Sequence, residues 1–279
     1  MLINKDTTLC MSLAARPGNF GTFFHNYLYQ KLGLNFIYKS FTTQNIADAV
    51  CGIRTLGIRG CAISMPFKAA CIPYLNELDR SAETIGSVNT IVNTSGFLKG
   101  YNTDYIAIEQ LLGKHEIDPS LRFALRGNGG MARAVLAGLA NNGYRNGVLV
   151  VRSLDKGKAL AHEYGYSVQL DSEPVVADVL INATSVGMLG GEGADELSFR
   201  LNEIEQAKII FDVVAIPRET PLIKKAIELG KAVISGTDVA VIQTLEQFVL
   251  YTGVRPSLDD IHEAQLFTNQ QIRLLEAKV

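Results

Sequence analysis

The 279-residue sequence lacks any apolar stretch long enough to cross a membrane. Its first residues, Met1-Leu2-Ile3-Asn4-Lys5-Asp6, lack the basic start and apolar core of a signal peptide. Both absences predict a cytoplasmic protein with no membrane partner. Basic clusters are missing too. No run exceeds Lys224-Lys225 and the net charge is −2, which excludes the electrostatic footprint that nucleic acid requires. The four cysteines, Cys10, Cys51, Cys61 and Cys71, form no C-x-x-C pair and have no histidine at zinc-ligand spacing. They read as free thiols, most of them among apolar neighbours, and no metal site is expected. His25, His115, His162 and His262 are scattered, with no triad or metal spacing. No repeat of 20 to 50 residues and no low-complexity tract occurs.

What remains is an ordinary soluble composition, 47% apolar and 19% charged, in a chain long enough for one large domain or two smaller ones. Strand-like and helix-like segments alternate nearly throughout. Leu9–Ser12, Phe36–Phe41 and Cys61–Ser64 read as strands, with helical spacing over Phe23–Leu32 and Ile46–Leu56 between them. Val88–Val92 and Phe97–Tyr101, joined through Ser95-Gly96, predict a β-hairpin and hence a mixed first sheet. A helix over Tyr105–Leu112 leads away. From Arg122 a second βα series begins. Its strands fall at Phe123–Leu125, Val148–Val151, Val179–Ile181, Ile209–Val213 and Ala232–Ile234, which predicts a parallel sheet. The segment from Val239 to the C-terminus reads as helical, broken at Pro256-Ser257. A polar break over residues 113–120 separates two α/β lobes, and a crevice between such lobes is a common place for a substrate.

The sharpest local motif is Gly127-Asn128-Gly129-Gly130-Met131-Ala132-Arg133, placed after the apolar Phe123-Ala124-Leu125 and opening a helix-like stretch. Gly127 suits a tight turn, Gly129 lets the backbone approach phosphates, and Ala132 allows close helix–strand packing. Free N–H groups at the helix start would meet the pyrophosphate of a dinucleotide. Alone the motif is weak, because glycine turns also precede helices in proteins that bind no nucleotide.

Four further stretches accompany it: Ser64-Met65-Pro66-Phe67-Lys68, Gly86-Ser87-Val88-Asn89-Thr90, Asn102-Thr103-Asp104 and Asn182-Ala183-Thr184-Ser185-Val186-Gly187-Met188. Taken singly, a lysine after a strand is ordinarily solvated, an aspartate in Asn-Thr-Asp is ordinarily a helix N-cap, and Asn89 could simply satisfy backbone groups. Taken together, in this order and spacing, the five stretches resemble the shikimate dehydrogenase family over essentially the whole chain, and the departures described below resemble its shikimate dehydrogenase-like branch. The resemblance implies a substrate-binding domain over 1–104 with 237–279, carrying a mixed sheet, and a Rossmann-type dinucleotide-binding domain over 105–236.

It also implies an NADP-dependent oxidoreductase of aromatic amino acid biosynthesis that interconverts shikimate and 3-dehydroshikimate or a related cyclic polyhydroxy acid. Oxidation of a secondary alcohol by a nicotinamide needs a base for the hydroxyl proton. The resemblance assigns that role to Lys68, with Asp104 hydrogen-bonding the substrate hydroxyl or orienting the lysine. A lysine acts as a base when desolvated, whereas a nearby carboxylate favours its charged form; the sequence leaves that balance open. Ser64, Asn89 and Gln243 match ring-hydroxyl positions. Asn19 and Gly21 stand where the family has two carboxylate-binding serines, so Ser12, Arg16 or Asn19 must take over that task. Ala215 replaces a pocket tyrosine, and Tyr101 stands where the family often has aspartate.

For the cofactor, Val151-Arg152-Ser153-Leu154-Asp155-Lys156 follows a strand. A strand-end acid would bind the ribose 2′-hydroxyl of NAD; an arginine suits the 2′-phosphate of NADP. Arg152, Ser153 and Lys156 match the family's phosphate-binding stretch, so NADP is expected, with NAD the alternative. Gly127, Asn128, Gly129, Gly130, Met131, Asn182, Thr184, Val213 and Gly236 complete the expected cofactor set. A quinate or aminoshikimate dehydrogenase, or a nucleotide-binding protein with little activity, are the rival readings. A monomer or a homodimer fits the sequence equally.

Overall fold

The computed structural model describes residues 2–276. Met1 and residues 277–279, the outermost ends of the expected substrate-binding domain and of the helical C-terminus, lie outside the described residues. The chain divides into two compact units, one taking in residues up to Thr103 and from Val241 onward, the other Asp104–Ala240.

The first unit opens with β1 (Thr8–Leu13), α1 (Phe20–Lys31), β2 (Phe36–Phe41), α2 (Ile46–Thr55) and β3 (Gly60–Ile63). It continues through the one-turn helix α3 (Phe67–Ala70), β4 (Glu77–Leu78), α4 (Arg80–Glu83), β5 (Thr90–Thr94) and β6 (Phe97–Tyr101). These strands form one sheet in the order β2-β1-β3-β5-β6-β4. β1 runs parallel to β2 and β3, while β5 is antiparallel to β3 and β6, so the expected mixed sheet is present. Ser95 and Gly96, with φ of 52° and 89°, close the β5–β6 hairpin with two left-handed residues, the geometry that matches strand twist. Successive β1 residues serve opposite faces. Met11 and Leu13 pack with Val50, Ile53, Ile91 and Leu98, whereas Cys10 joins Phe24, Tyr29, Tyr38, Phe248 and Tyr251.

The second unit begins within α5 (Thr103–Lys114). It contains β7 (Phe123–Arg126), α6 (Gly130–Asn141), β8 (Gly147–Val151), α7 (Leu154–Glu163), β9 (Ser167–Leu170) and β10 (Val179–Asn182). After these come α8 (Leu201–Gln206), β11 (Ile209–Asp212), α9 (Pro221–Glu228) and β12 (Ala232–Ser235). All six strands are parallel, in the order β12-β11-β10-β7-β8-β9. The chain steps outward from β7 through β8 to β9, then returns to β10 on the other side of β7. That reversal leaves an opening at the C-terminal ends of β7 and β10, where open α/β sheets bind ligands. α10 (Gly236–Thr252) and α11 (Leu258–Glu276) are the last described elements. No helix among the described residues is long and apolar enough to cross a membrane.

Candidate active site

In the first unit, the Ser64–Lys68 segment leaves the end of β3 beside the end of β1. The Ser64 N–H donates to the Leu13 carbonyl at 2.9 Å, extending the parallel ladder past β3. The Phe67 N–H then donates to the Ser64 carbonyl at 2.9 Å, and the chain turns through a cis Met65-Pro66 peptide into α3. Lys68 therefore sits in the first turn of α3, half-buried. Its carbonyl accepts the Val88 N–H at 2.9 Å, which ties it to the segment carrying Asn89.

Asn89 is 1% exposed. The Asn89 N–H donates to Tyr101 at 3.0 Å, so the hairpin sets it beside the start of α5. There the Asn89 Oδ1 accepts from the Thr103 N–H at 2.8 Å, the Thr90 hydroxyl at 2.8 Å and the Thr103 hydroxyl at 3.1 Å. Its Nδ2, also buried, has no partner among the described residues. A buried amide with every acceptor contact filled and its donors free fits a ligand oxygen that accepts.

Asp104 is buried in the first turn of α5, inside the helix rather than at its N-cap. A carboxylate there complements the positive end of the helix dipole. Asn19 is the N-cap of α1, yet its exposed side chain makes no capping bond. Arg16 is exposed in the loop after β1, and among the described residues it has no hydrogen-bond or ion-pair partner. The neighbouring Ala15 N–H donates to the Met65 carbonyl at 3.1 Å, which holds this loop against the Ser64–Lys68 segment. A Cβ at Gly21 would lie 3.3 Å from the Tyr38 hydroxyl oxygen, so a side chain there would press on that group. Gln243 is half-buried in α10. One turn later, Gln247, which the sequence did not single out, is 3% exposed and bonded into the Asn89 network. Its signal was its place one helical turn after Gln243, on the same face of α10.

His25 is fully buried between aromatic rings, stacked on Tyr38 at 4.4 Å and facing Phe248 at 6.0 Å. Neither ring nitrogen makes a well-formed hydrogen bond. Burial drives its pKa down to about 3, with Gln247 opposing the shift. Burial also pushes the Cys10 thiol up to about 12 and the Tyr38 phenol upward. Cys10, Cys61 and Cys71 are buried free thiols, while Cys51 is exposed.

In the second unit, the glycine turn is tight and its outer side is open. Gly127 sits at φ +124°, and a Cβ there would meet the Ala183 carbonyl oxygen at 2.7 Å. Around Gly129 and Gly130 a Cβ would meet nothing within 4 Å, so space lies open above the turn. α6 starts at Gly130 with no side-chain cap, which leaves its first N–H groups to an anion. Asn128 is exposed and Met131 half-buried beside it. At the start of α7, the Ser153 hydroxyl makes no capping bond. Arg152 and Lys156 are exposed, with no partner among the described residues. Two free cations and a free hydroxyl at a helix start suit a phosphate dianion.

Behind the turn, Asn182 is wholly engaged. Its Oδ1 accepts the Thr184 N–H and hydroxyl at 3.1 and 2.7 Å, and its Nδ2 donates to Val186 and to Asp212 at 3.1 and 2.9 Å. Asn182 thus shapes the loop rather than offering its own side chain outward. Asp212, another residue the sequence did not flag, is fully buried and also accepts from the Val214 N–H at 3.0 Å and the Thr220 hydroxyl at 2.6 Å. Burial raises its pKa against these three donors. One carboxylate therefore fixes the loops after β10 and β11, including Val213 and Ala215. Gly236 must lack a side chain, because a Cβ would fall 2.3 Å from the Val214 backbone. Among the described residues no His, Cys, Asp and Glu cluster could hold a metal ion.

Comparison with known proteins adds relatives to this geometry. Residues 21–91 match the model of the shikimate dehydrogenase substrate binding domain. A "shikimate dehydrogenase-like protein" of Haemophilus influenzae is 53% identical, over 95% of this chain and 98% of that protein. A "shikimate dehydrogenase (NADP(+))" of Pyrococcus abyssi is 34% identical, over 87% and 90%. Among solved structures, a shikimate 5-dehydrogenase-like protein at 53% identity covers 96% of this chain and 100% of its own, with a TM-score of 0.93. A Thermus thermophilus shikimate 5-dehydrogenase, solved with NADP(H) and shikimate, is 25% identical over 94% and 99%, with a TM-score of 0.83. The chain belongs to the shikimate dehydrogenase family.

Proposed function

We propose that this protein is an NADP-dependent oxidoreductase acting on a CH–OH group, moving hydride reversibly between NADP and shikimate/3-dehydroshikimate or a related cyclic polyhydroxy acid. The observation that carries the reading is the buried Asn89 amide with its two N–H donors unspent. The relatives' names, NADP-dependent shikimate dehydrogenases, point the same way.

In this reading Asn89, Ser64 and Gln243 hold ring hydroxyls. Lys68 takes the proton of the reacting hydroxyl, and Asp104 bonds that hydroxyl or orients the lysine. When bound, the oxidised nicotinamide supplies the hydride acceptor. Gly127–Met131 cradle the pyrophosphate, and Arg152, Ser153 and Lys156 hold the 2′-phosphate. Asn182, Thr184, Val213 and Gly236 shape the nicotinamide side. Carboxylate recognition has moved from the missing serines to Arg16 and Asn19, supported by the uncommitted guanidinium and uncapped amide of those residues. The substrate unit spans 1–104 with 237–279, the cofactor unit 105–236, and the protein works in the cytoplasm as a monomer or homodimer, without a nucleic-acid partner.

Lys68→Ala tests the core of this assignment. Removal of a general base should cut turnover by roughly 10²- to 10⁴-fold, while NADP binding measured by calorimetry stays within twofold. Turnover within tenfold of wild type would remove Lys68 from the chemistry.

A further inference from the structure

We propose that Gln247 is a positioning residue that, through Thr90, locks the Asn89 amide as a one-way donor toward substrate. The proposal deepens the functional reading above and rests on it for the identity of the ligand.

The direction of the bonds that meet at the Asn89 amide follows from groups that have no choice. The Asn89 main-chain carbonyl can only accept, so the Gln247 atom that approaches it at 3.4 Å is Nε2. The same Nε2 donates to the Thr90 hydroxyl oxygen at 3.1 Å. With one Thr90 lone pair taken by Gln247, the single Thr90 proton points to the Asn89 Oδ1 at 2.8 Å, a shorter contact than the 3.4 Å to the Thr103 hydroxyl. At the other end, the Thr103 N–H, which can only donate, reaches the same Oδ1 at 2.8 Å. Rotation of the Asn89 amide would set its NH2 against the Thr103 N–H at one end and forfeit the Thr90 donor that Gln247 orients at the other, so both ends disfavour the rotated form. The outcome is an oxygen saturated by donors and an NH2 left without a partner.

All the residues involved are at most 3% exposed, so water cannot replace a missing member at little cost. The chemical consequence is selective. Asn89 can hold only an oxygen that accepts, and an alcohol and its ketone both accept. The contact therefore serves both redox forms alike, which makes it uniform binding: its loss raises KM and leaves kcat largely intact. Gln247 influences the reaction only through this orientation.

Steady-state kinetics with NADP and shikimate, quinate and aminoshikimate should be measured for Gln247→Met, which keeps the volume and deletes the donor. Thr90→Val and the double variant complete the set. A second replacement, Gln247→Glu, keeps the shape but reverses the polarity, drawing the Thr90 proton away from Asn89. Each single variant should raise KM about tenfold, equivalent to about 1.4 kcal/mol, with kcat changed much less. The double variant should be no worse than Thr90→Val alone, because the two act in series. Additive losses, or unchanged KM values, would overturn the proposal. A readout without substrate separates this from the functional reading. The Asn89 side-chain amide proton pair, assigned in NMR spectra by its disappearance in Asn89→Asp, should shift in Gln247→Met and in Thr90→Val. If the wild type reduces NADP with no acid of the panel yet the amide pair shifts, the functional reading fails and the relay stands. If turnover is normal and the amide pair stays still, the relay fails.

Discussion

Replacing His25 with phenylalanine should change how the protein responds to acid. The imidazole is fully buried among Phe24, Tyr29, Tyr38, Phe248 and Tyr251, and burial holds its pKa at about 3 against 6.5 when solvated. Between those values the unfolded chain binds a proton that the folded chain refuses. Stability is thus fully present above pH 6.5 and falls as pH drops toward 3. At ~1.36 kcal/mol per pH unit, the whole gap is on the order of 5 kcal/mol, and roughly 3 kcal/mol of it is spent by pH 4.5. The surrounding phenols and the Cys10 thiol, all shifted upward, stay neutral and add nothing in this window. Phenylalanine fits the ring stack and removes two buried nitrogens that lack a well-formed hydrogen bond among the described residues, so His25→Phe should match or exceed wild type at pH 7. Urea unfolding of both proteins at pH 7 and pH 4.5 gives the double difference directly. The variant should gain roughly 3 kcal/mol on wild type between the two pH values. Parallel losses would mean instead that His25 protonates inside the folded protein or contributes nothing.

Two further perturbations act on the cofactor half. Gly127→Ala drives a Cβ to 2.7 Å from the Ala183 carbonyl in a left-handed conformation, so both the melting temperature and NADP affinity should fall, whereas Gly129→Ala, whose Cβ meets nothing, should keep the melting temperature and lose NADP affinity. Equal thermal behaviour of the two would contradict the turn geometry. Arg152→Ala should weaken NADP at least tenfold more than NAD in calorimetric titrations, as expected for one lost charge-assisted phosphate contact worth about 1.5–3 kcal/mol; equal weakening would reassign the residue.

Much of the fold was legible because its buried strands are short apolar runs with clear breaks. Ile209–Asp212 and Val148–Val151 announce themselves, and Ser95-Gly96 names its own turn. β9, Ser-Val-Gln-Leu, did not, because an edge strand with half-buried residues carries no apolar run. β4, only two residues long, has no pattern to read. α3 and α4 are single turns fixed by tertiary contacts rather than periodicity. The candidate site follows the same division. Lys68, Asn89, Asp104 and the glycine turn lie in recognisable local motifs. Gln247 lies far along the chain from Asn89, and Asp212 meets Asn182 only across paired strands. Such residues act through contacts that spacing along a sequence does not encode.

This chain is expected to oxidise a cyclic polyhydroxy acid with NADP. The most direct test is an NADP-reduction assay with shikimate, quinate and aminoshikimate, each also run with NAD, on wild type and on Lys68→Ala. Turnover of at least one acid, faster with NADP and cut at least roughly 10²-fold in Lys68→Ala, is the predicted result. No turnover of any acid with either cofactor, in protein that binds NADP by calorimetry, would contradict it.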